Sequence, residues 1–132
     1  MSHIVEAKTS ICQPDLALLR QAVSLVAQQH QGTVEAFYLD YYGKQHPVAS
    51  SLALFTEQLK RGIGIVITDA GEVTFVGDPW AVQSLFEQVQ REIVQMYVSL
   101  ATMAALQEMG YSAQALEGAA AGQVVIQGVA YA

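Results

Sequence analysis

From Trp80 to Met109 the chain contains neither glycine nor proline, and apolar residues recur there at helical spacing. No other feature limits the fold as strongly. Asp78 has the short, oxygen-bearing side chain of an N-cap. Pro79 has the fixed φ of a first helical position, and Gly110 can end the helix in the left-handed conformation. Tyr111 then folds back on Leu106. A helix from Pro79 to Met109 spans roughly 46 Å at ~1.5 Å per residue. A compact chain of 132 residues has a diameter of roughly 36 Å, so a straight helix of that length overhangs its own domain.

Val82, Phe86, Val89, Ile93, Met96, Leu100 and Met103 alternate four and three apart, a heptad-like seam. Leu85, Tyr97 and Ala104 form a second stripe beside it, and Glu87 and Arg91 make an exposed pair. Packing on a sheet needs one stripe. The second is expected to meet another copy of the chain, with Phe86, Ile93, Met96, Tyr97 and Leu100 as the homodimer interface. Trp80, at the mouth of the helix, is expected either to close the edge of the core or to anchor a ligand or partner.

Around this helix the chain reads as one α+β domain over residues 1–132: an antiparallel sheet with two helices on one face, one of them unusually long. "SHIVEAKTSI" is a strand with Val5, Ala7 and Ile11 on one side. "PDLALLRQAVSLVAQQHQG" is a helix that starts at Pro14, buries Leu16, Leu19, Val23 and Val26, and stops at Gly32. "TVEAFYLDYYG" is one aromatic, β-branched strand. "IGIVITDAGEVTFVG" is a hairpin turning at Asp69-Ala70-Gly71. "GYSAQALEG" and "GQVVIQGVAYA" form a closing hairpin. The run from Val48 to Phe55 fits a short helix or a strand equally well.

Hydrophobic residues make up 52% of the chain and charged residues 14%, enough apolar surface for a core and for a covered interface. The net charge of -6, with six Lys and Arg scattered along the chain, excludes a phosphate-neutralising patch. The same deficit argues against nucleic acid and anionic membranes as partners. The single cysteine, Cys12, suits a reducing compartment. No signal peptide or membrane span is expected.

His3, His30 and His46 show no ligand spacing with one another, with Cys12 or with a carboxylate, so neither metal nor cofactor is expected. His30 falls at the end of the first helix, where a cation suits the dipole. On an extended strand Tyr38, Asp40 and Tyr42 share one face, with Phe37, Leu39 and Tyr41 on the other. The tyrosine–aspartate face is the best candidate surface. With His3, Asp78 and Trp80 it forms the candidate ligand- or partner-binding set.

Three signatures occur together: Met1-Ser2-His3 at the start, Asp78-Pro79-Trp80 after the central hairpin, and "MGYSAQALEGAAAGQVVIQGVAYA" at the end. In this order and spacing the chain resembles the hypothetical chloroplast reading frame thirty-five family, domain of unknown function 1257. It departs from that pattern at Ile4, where an aromatic is more usual, and at Pro79, which separates the Asp from the Trp. The resemblance implies a strand over Val48–Phe55 and a cytoplasmic or plastid-stromal setting. It carries no catalytic residue. The expectation is a non-catalytic accessory or assembly module acting through protein contacts, forming a homodimer and binding a further protein. The alternative is an enzyme or small-molecule binder with a pocket near Tyr38, Asp40, Tyr42 and Trp80.

Overall fold

Alternation of core and solvent residues along the first strand sets the frame. The computed structural model describes residues 4–117 and 124–130, with backbone alone from residue 111 onward. β1 (Val5–Cys12) turns Val5, Ala7 and Ile11 inward and Glu6, Lys8 and Ser10 outward. It pairs antiparallel with β7 (Glu72–Gly77), which forms the central hairpin with β6 (Ile63–Ile67). Gly71 closes that hairpin at φ +84°, a conformation that favours glycine. β5 (Ala53–Phe55) and β2 (Thr33–Glu35) complete a five-stranded antiparallel sheet in the order β1-β7-β6-β5-β2. Of the run from Val48 to Phe55, only residues 53–55 are strand; residues 48–52 form the turn that leads into it.

The two helices, α1 (Leu16–Gln29) and α2 (Gln83–Glu108), contact each other and cover one face of the sheet. Leu19, Val23 and Val26 of α1 and Phe86, Val89 and Ile93 of α2 meet Leu54, Ile63, Ile65, Val73 and Phe75 in one core. Tyr97 adds a polar tie between the helices, its hydroxyl accepting from the backbone N–H of Asp15 at 2.9 Å. His30 reaches Glu92 at 2.9 Å from the end of α1.

Helix ends follow side-chain chemistry more closely than the expected boundaries. Asp15, not Pro14, begins α1; it caps the helix by accepting from the N–H of Leu18. Leu16 lies outside the core and is exposed. Gln31 takes the left-handed position at φ +56°, one residue before the expected stop. Its N–H bonds to the Gln28 carbonyl and that of Gly32 to Ala27, the paired bonds of a Schellman cap. Gly32 is held to glycine by space, since a Cβ there would run into the Phe55 carbonyl.

α2 is shorter than expected. Asp78 does not cap it: its carboxylate accepts from the N–H of Trp80, two residues on. Val82 N–H then bonds back to the Pro79 carbonyl, and Ala81 stands at φ +67°. That left-handed residue interrupts the helical path, so the chain makes a separate turn before α2 starts at Gln83. Its 26 residues span about 39 Å. At the far end Gly110 takes φ +86° as expected. The expected contact of Tyr111 with Leu106 lies outside the described side chains.

The strand expected over "TVEAFYLDYYG" breaks at Ala36. β2 stays in the sheet, whereas β3 (Phe37–Leu39) leaves it and pairs with β4 (Gln45–Pro47). This hairpin covers the opposite face of the sheet: Tyr38 and Val48 pack on Ala53 and Val76 in a second, smaller core. Gly64 makes the close approach possible, because a Cβ there would come within 2.8 Å of Tyr38 Cδ1 and 3.0 Å of Val48 Cγ1. The closing hairpin, β8 (Tyr111–Glu117) with β9 (Val124–Ala130), is antiparallel in the expected order and contacts α2.

Candidate functional site

Asp40 organises the β3–β4 turn. One carboxylate oxygen accepts from the N–H groups of Tyr42 and Lys44, both at 2.9 Å. The other lies 3.0 Å from His46 Nε2. These bonds, led by the one to His46, hold the Asp40 carboxyl below its ordinary pKa. The His46 ring stacks on Tyr38 at 5.1 Å between centroids. Burial pushes the Tyr38 hydroxyl above its ordinary pKa, with Glu6 and Asp40 adding to the shift. Asp40 and His46 are therefore engaged in building the turn.

The alternation expected for Tyr38, Asp40 and Tyr42 does not survive the strand break. Tyr38 is buried, Asp40 sits in the turn, and Tyr42 is 91% exposed. Tyr41 is also exposed and meets Tyr42 edge-on at 5.5 Å between centroids. Arg61 joins this pair to the Trp80 turn. Its guanidinium lies 5.7 Å from the centre of the Tyr41 ring, and its Nη2 donates to the Trp80 carbonyl. The Arg61 carbonyl in turn accepts from Leu39 N–H at 2.7 Å, fixing the loop to β3. Trp80 is 48% exposed, so it does not close the core. Tyr41, Tyr42, Arg61 and Trp80 form one surface.

A cleft of about 430 Å³ separates the Tyr41 and Trp80 sides of this surface. Leu39, Leu59 and Phe86 are among its walls, together with Asp40 and Asp78. The Asp78 side chain is buried and bonded to Trp80 N–H. Of the residues expected to converge, the structure brings Asp40, Asp78 and Trp80 to this cleft, leaves Tyr42 beyond it and buries Tyr38. His3 lies outside the described residues.

The alternating pattern does not place Arg61, and His46, which shows no ligand spacing with a carboxylate in sequence, meets Asp40 only once the hairpin forms.

Phe86 and Ile93, expected at a homodimer interface, belong to the chain's own core, which leaves neither for a second copy. Met96, Tyr97 and Leu100 are half-buried. Among the described residues no group of three or more His, Cys, Asp and Glu side chains could hold a metal, and no helix is long and apolar enough to cross a membrane. Comparison with protein-family models, curated proteins and solved structures finds no match to this chain.

Proposed function

We propose that the protein is a non-catalytic accessory or assembly module that binds another protein through Tyr41, Tyr42, Arg61 and Trp80. One observation carries the reading: Arg61 lies over the exposed Tyr41 ring, which meets the exposed Tyr42 edge-on, and the same guanidinium bonds the backbone carbonyl of the exposed Trp80. Trp, Tyr and Arg are the residue types that dominate binding energy at protein interfaces. The backbone bonds of Asp40 and the Arg61–Leu39 bond hold the patch before binding, which lowers the ordering cost of association. The resemblance to the plastid reading-frame family fits an accessory role in cytoplasm or stroma. The test is affinity capture from native extract with the wild-type chain and with Tyr42→Ala and Trp80→Ala, followed by titration of each protein recovered. A partner lost by both variants supports the reading.

A second reading places a small ligand in the cleft between Tyr41 and Trp80. Its volume of about 430 Å³ falls in the range of small-molecule sites. Saturation-transfer NMR with a fragment set tests it; binders whose signals vanish in Trp80→Ala support a ligand site.

A further inference from the structure

The sheet has two edge strands, and they differ. β2 is three residues long. β1 is eight residues long, and no described strand pairs with its outer edge. A crevice of about 350 Å³ runs between β1 and α2, lined by Lys8, Thr9 and Ser10 on one side and Arg91, Val94 and Gln95 on the other. The helix therefore does not seal this edge. An open edge presents unpaired N–H and C=O groups and is a template for another strand.

Charge along β1 selects the strand that fits. Glu6 and Lys8 are exposed on its outward face, and neither has an ion-pair partner among the described residues. A lone lysine on an edge ordinarily discourages pairing. Here an acid stands two residues away on the same face, with only Ala7 between. In an antiparallel pair of identical strands, a two-fold axis perpendicular to the sheet places one residue opposite its own copy. With Ala7 on the axis, Glu6 faces Lys8 of the second copy, and Lys8 faces its Glu6. An axis at Glu6 or Lys8 would oppose like charges. An axis at Thr9 would face Lys8 with Ser10. Ala7 is the register among these that pairs both charges, and it puts the smallest side chain of the strand on the axis.

We propose that β1 pairs antiparallel with β1 of a second copy about a two-fold axis at Ala7, joining two five-stranded sheets into one. The irregularity between Lys8 and Cys12 bends the strand beyond this stretch, so pairing runs over residues 5–9. The opposed charges supply the specificity, since unlike cross-strand pairs stabilise and like pairs destabilise. The pairing uses none of Tyr41, Tyr42, Arg61 and Trp80, although Val5 at its end lines a pocket with Trp80; charge reversal at Glu6 and Lys8 tests it apart from that surface.

Light scattering on a size-exclusion column tests the pairing. The wild type is expected at twice 14.2 kDa at tens of micromolar. Glu6→Lys and Lys8→Glu each place like charges opposite one another on both sides of the axis, and each is expected to weaken the dimer by about tenfold or more. The double variant Glu6→Lys/Lys8→Glu restores the opposed charges and is expected to recover it. Both side chains are exposed, and a thermal melt of each variant confirms folding. In the wild type, hydrogen exchange at β1 amides is expected to slow as concentration rises. A monomeric wild type at these concentrations overturns the proposal. So do single variants that dimerise as the wild type does, or a folded double variant that stays monomeric. A dimer split by Leu100→Glu but not by Glu6→Lys places the interface on α2 and also overturns it.

Discussion

His46 Nε2 lies 3.0 Å from the Asp40 oxygen that does not serve the backbone, so one carboxylate fixes both the turn of the β3–β4 hairpin and the ring stacked on Tyr38. The exposed pair Tyr41 and Tyr42 is carried by that turn. Its geometry therefore depends on the charge of Asp40.

Asp40 gives an acid-range prediction. Its folded pKa lies below the ordinary carboxylate value, chiefly through the bond to His46. The resulting stabilisation is present above the unfolded pKa of roughly 3.9 and is lost as pH falls through the folded value. Asp40→Asn keeps an acceptor but removes the charge. The gap between the denaturation midpoints of wild type and Asp40→Asn is expected to be widest near neutrality and to close on acidification.

Tyr38 gives the alkaline counterpart. Its folded pKa is raised, first by burial. The associated stability is complete below the unfolded pKa of roughly 10 and is lost as pH rises through the folded value. Tyr38→Phe preserves the packing and removes the titration. Its melting temperature is expected to fall less steeply than that of the wild type at alkaline pH.

The legible parts of the fold were those set by local pattern. Val5, Ala7 and Ile11 on β1, the stripe Leu19, Val23 and Val26, and the Asp69–Gly71 turn follow from side-chain period and turn chemistry. The break at Ala36 was not legible. An unbroken aromatic run reads as one strand, and only the second face of the sheet, with Gly64 opening space for Tyr38, gives β3 a place to go. The start of α2 misled for a related reason. Asp78-Pro79 has the chemistry of a cap and first helical residue, but Asp78 engages Trp80 and Ala81 adopts a conformation that propensity disfavours. Of the candidate site, Trp80 and Asp40 stood out by residue type, but the turn that Asp40 builds did not, and Arg61 becomes part of the site only through tertiary contact.

Ala81 offers a backbone test. A residue with a Cβ is disfavoured at φ +67°, at a cost of roughly 1–2 kcal/mol. Ala81→Gly relieves it at some cost in unfolded-chain entropy. A net gain of about 0.5–1 kcal/mol in unfolding free energy is expected in a urea titration.

Gly64→Ala tests how the hairpin sits on the sheet. The added Cβ meets Tyr38 and Val48 at or below 3.0 Å, and overpacking of this kind costs about 1–3 kcal/mol. The near-UV circular dichroism of the tyrosines is expected to change while the far-UV spectrum holds.

Trp80→Ala removes a half-exposed side chain from the proposed contact surface. The measurement is a paired one: partner affinity by titration and unfolding free energy by urea, on the same wild-type and variant samples. The expected stability loss is about 1 kcal/mol or less, well short of the roughly 3–5 kcal/mol of a buried aromatic truncation. Partner affinity is expected to fall by about thirtyfold or more, as for an interface hot spot. A variant that binds every captured partner as tightly as the wild type, or one that loses binding only because it unfolds, would contradict the proposed contact surface.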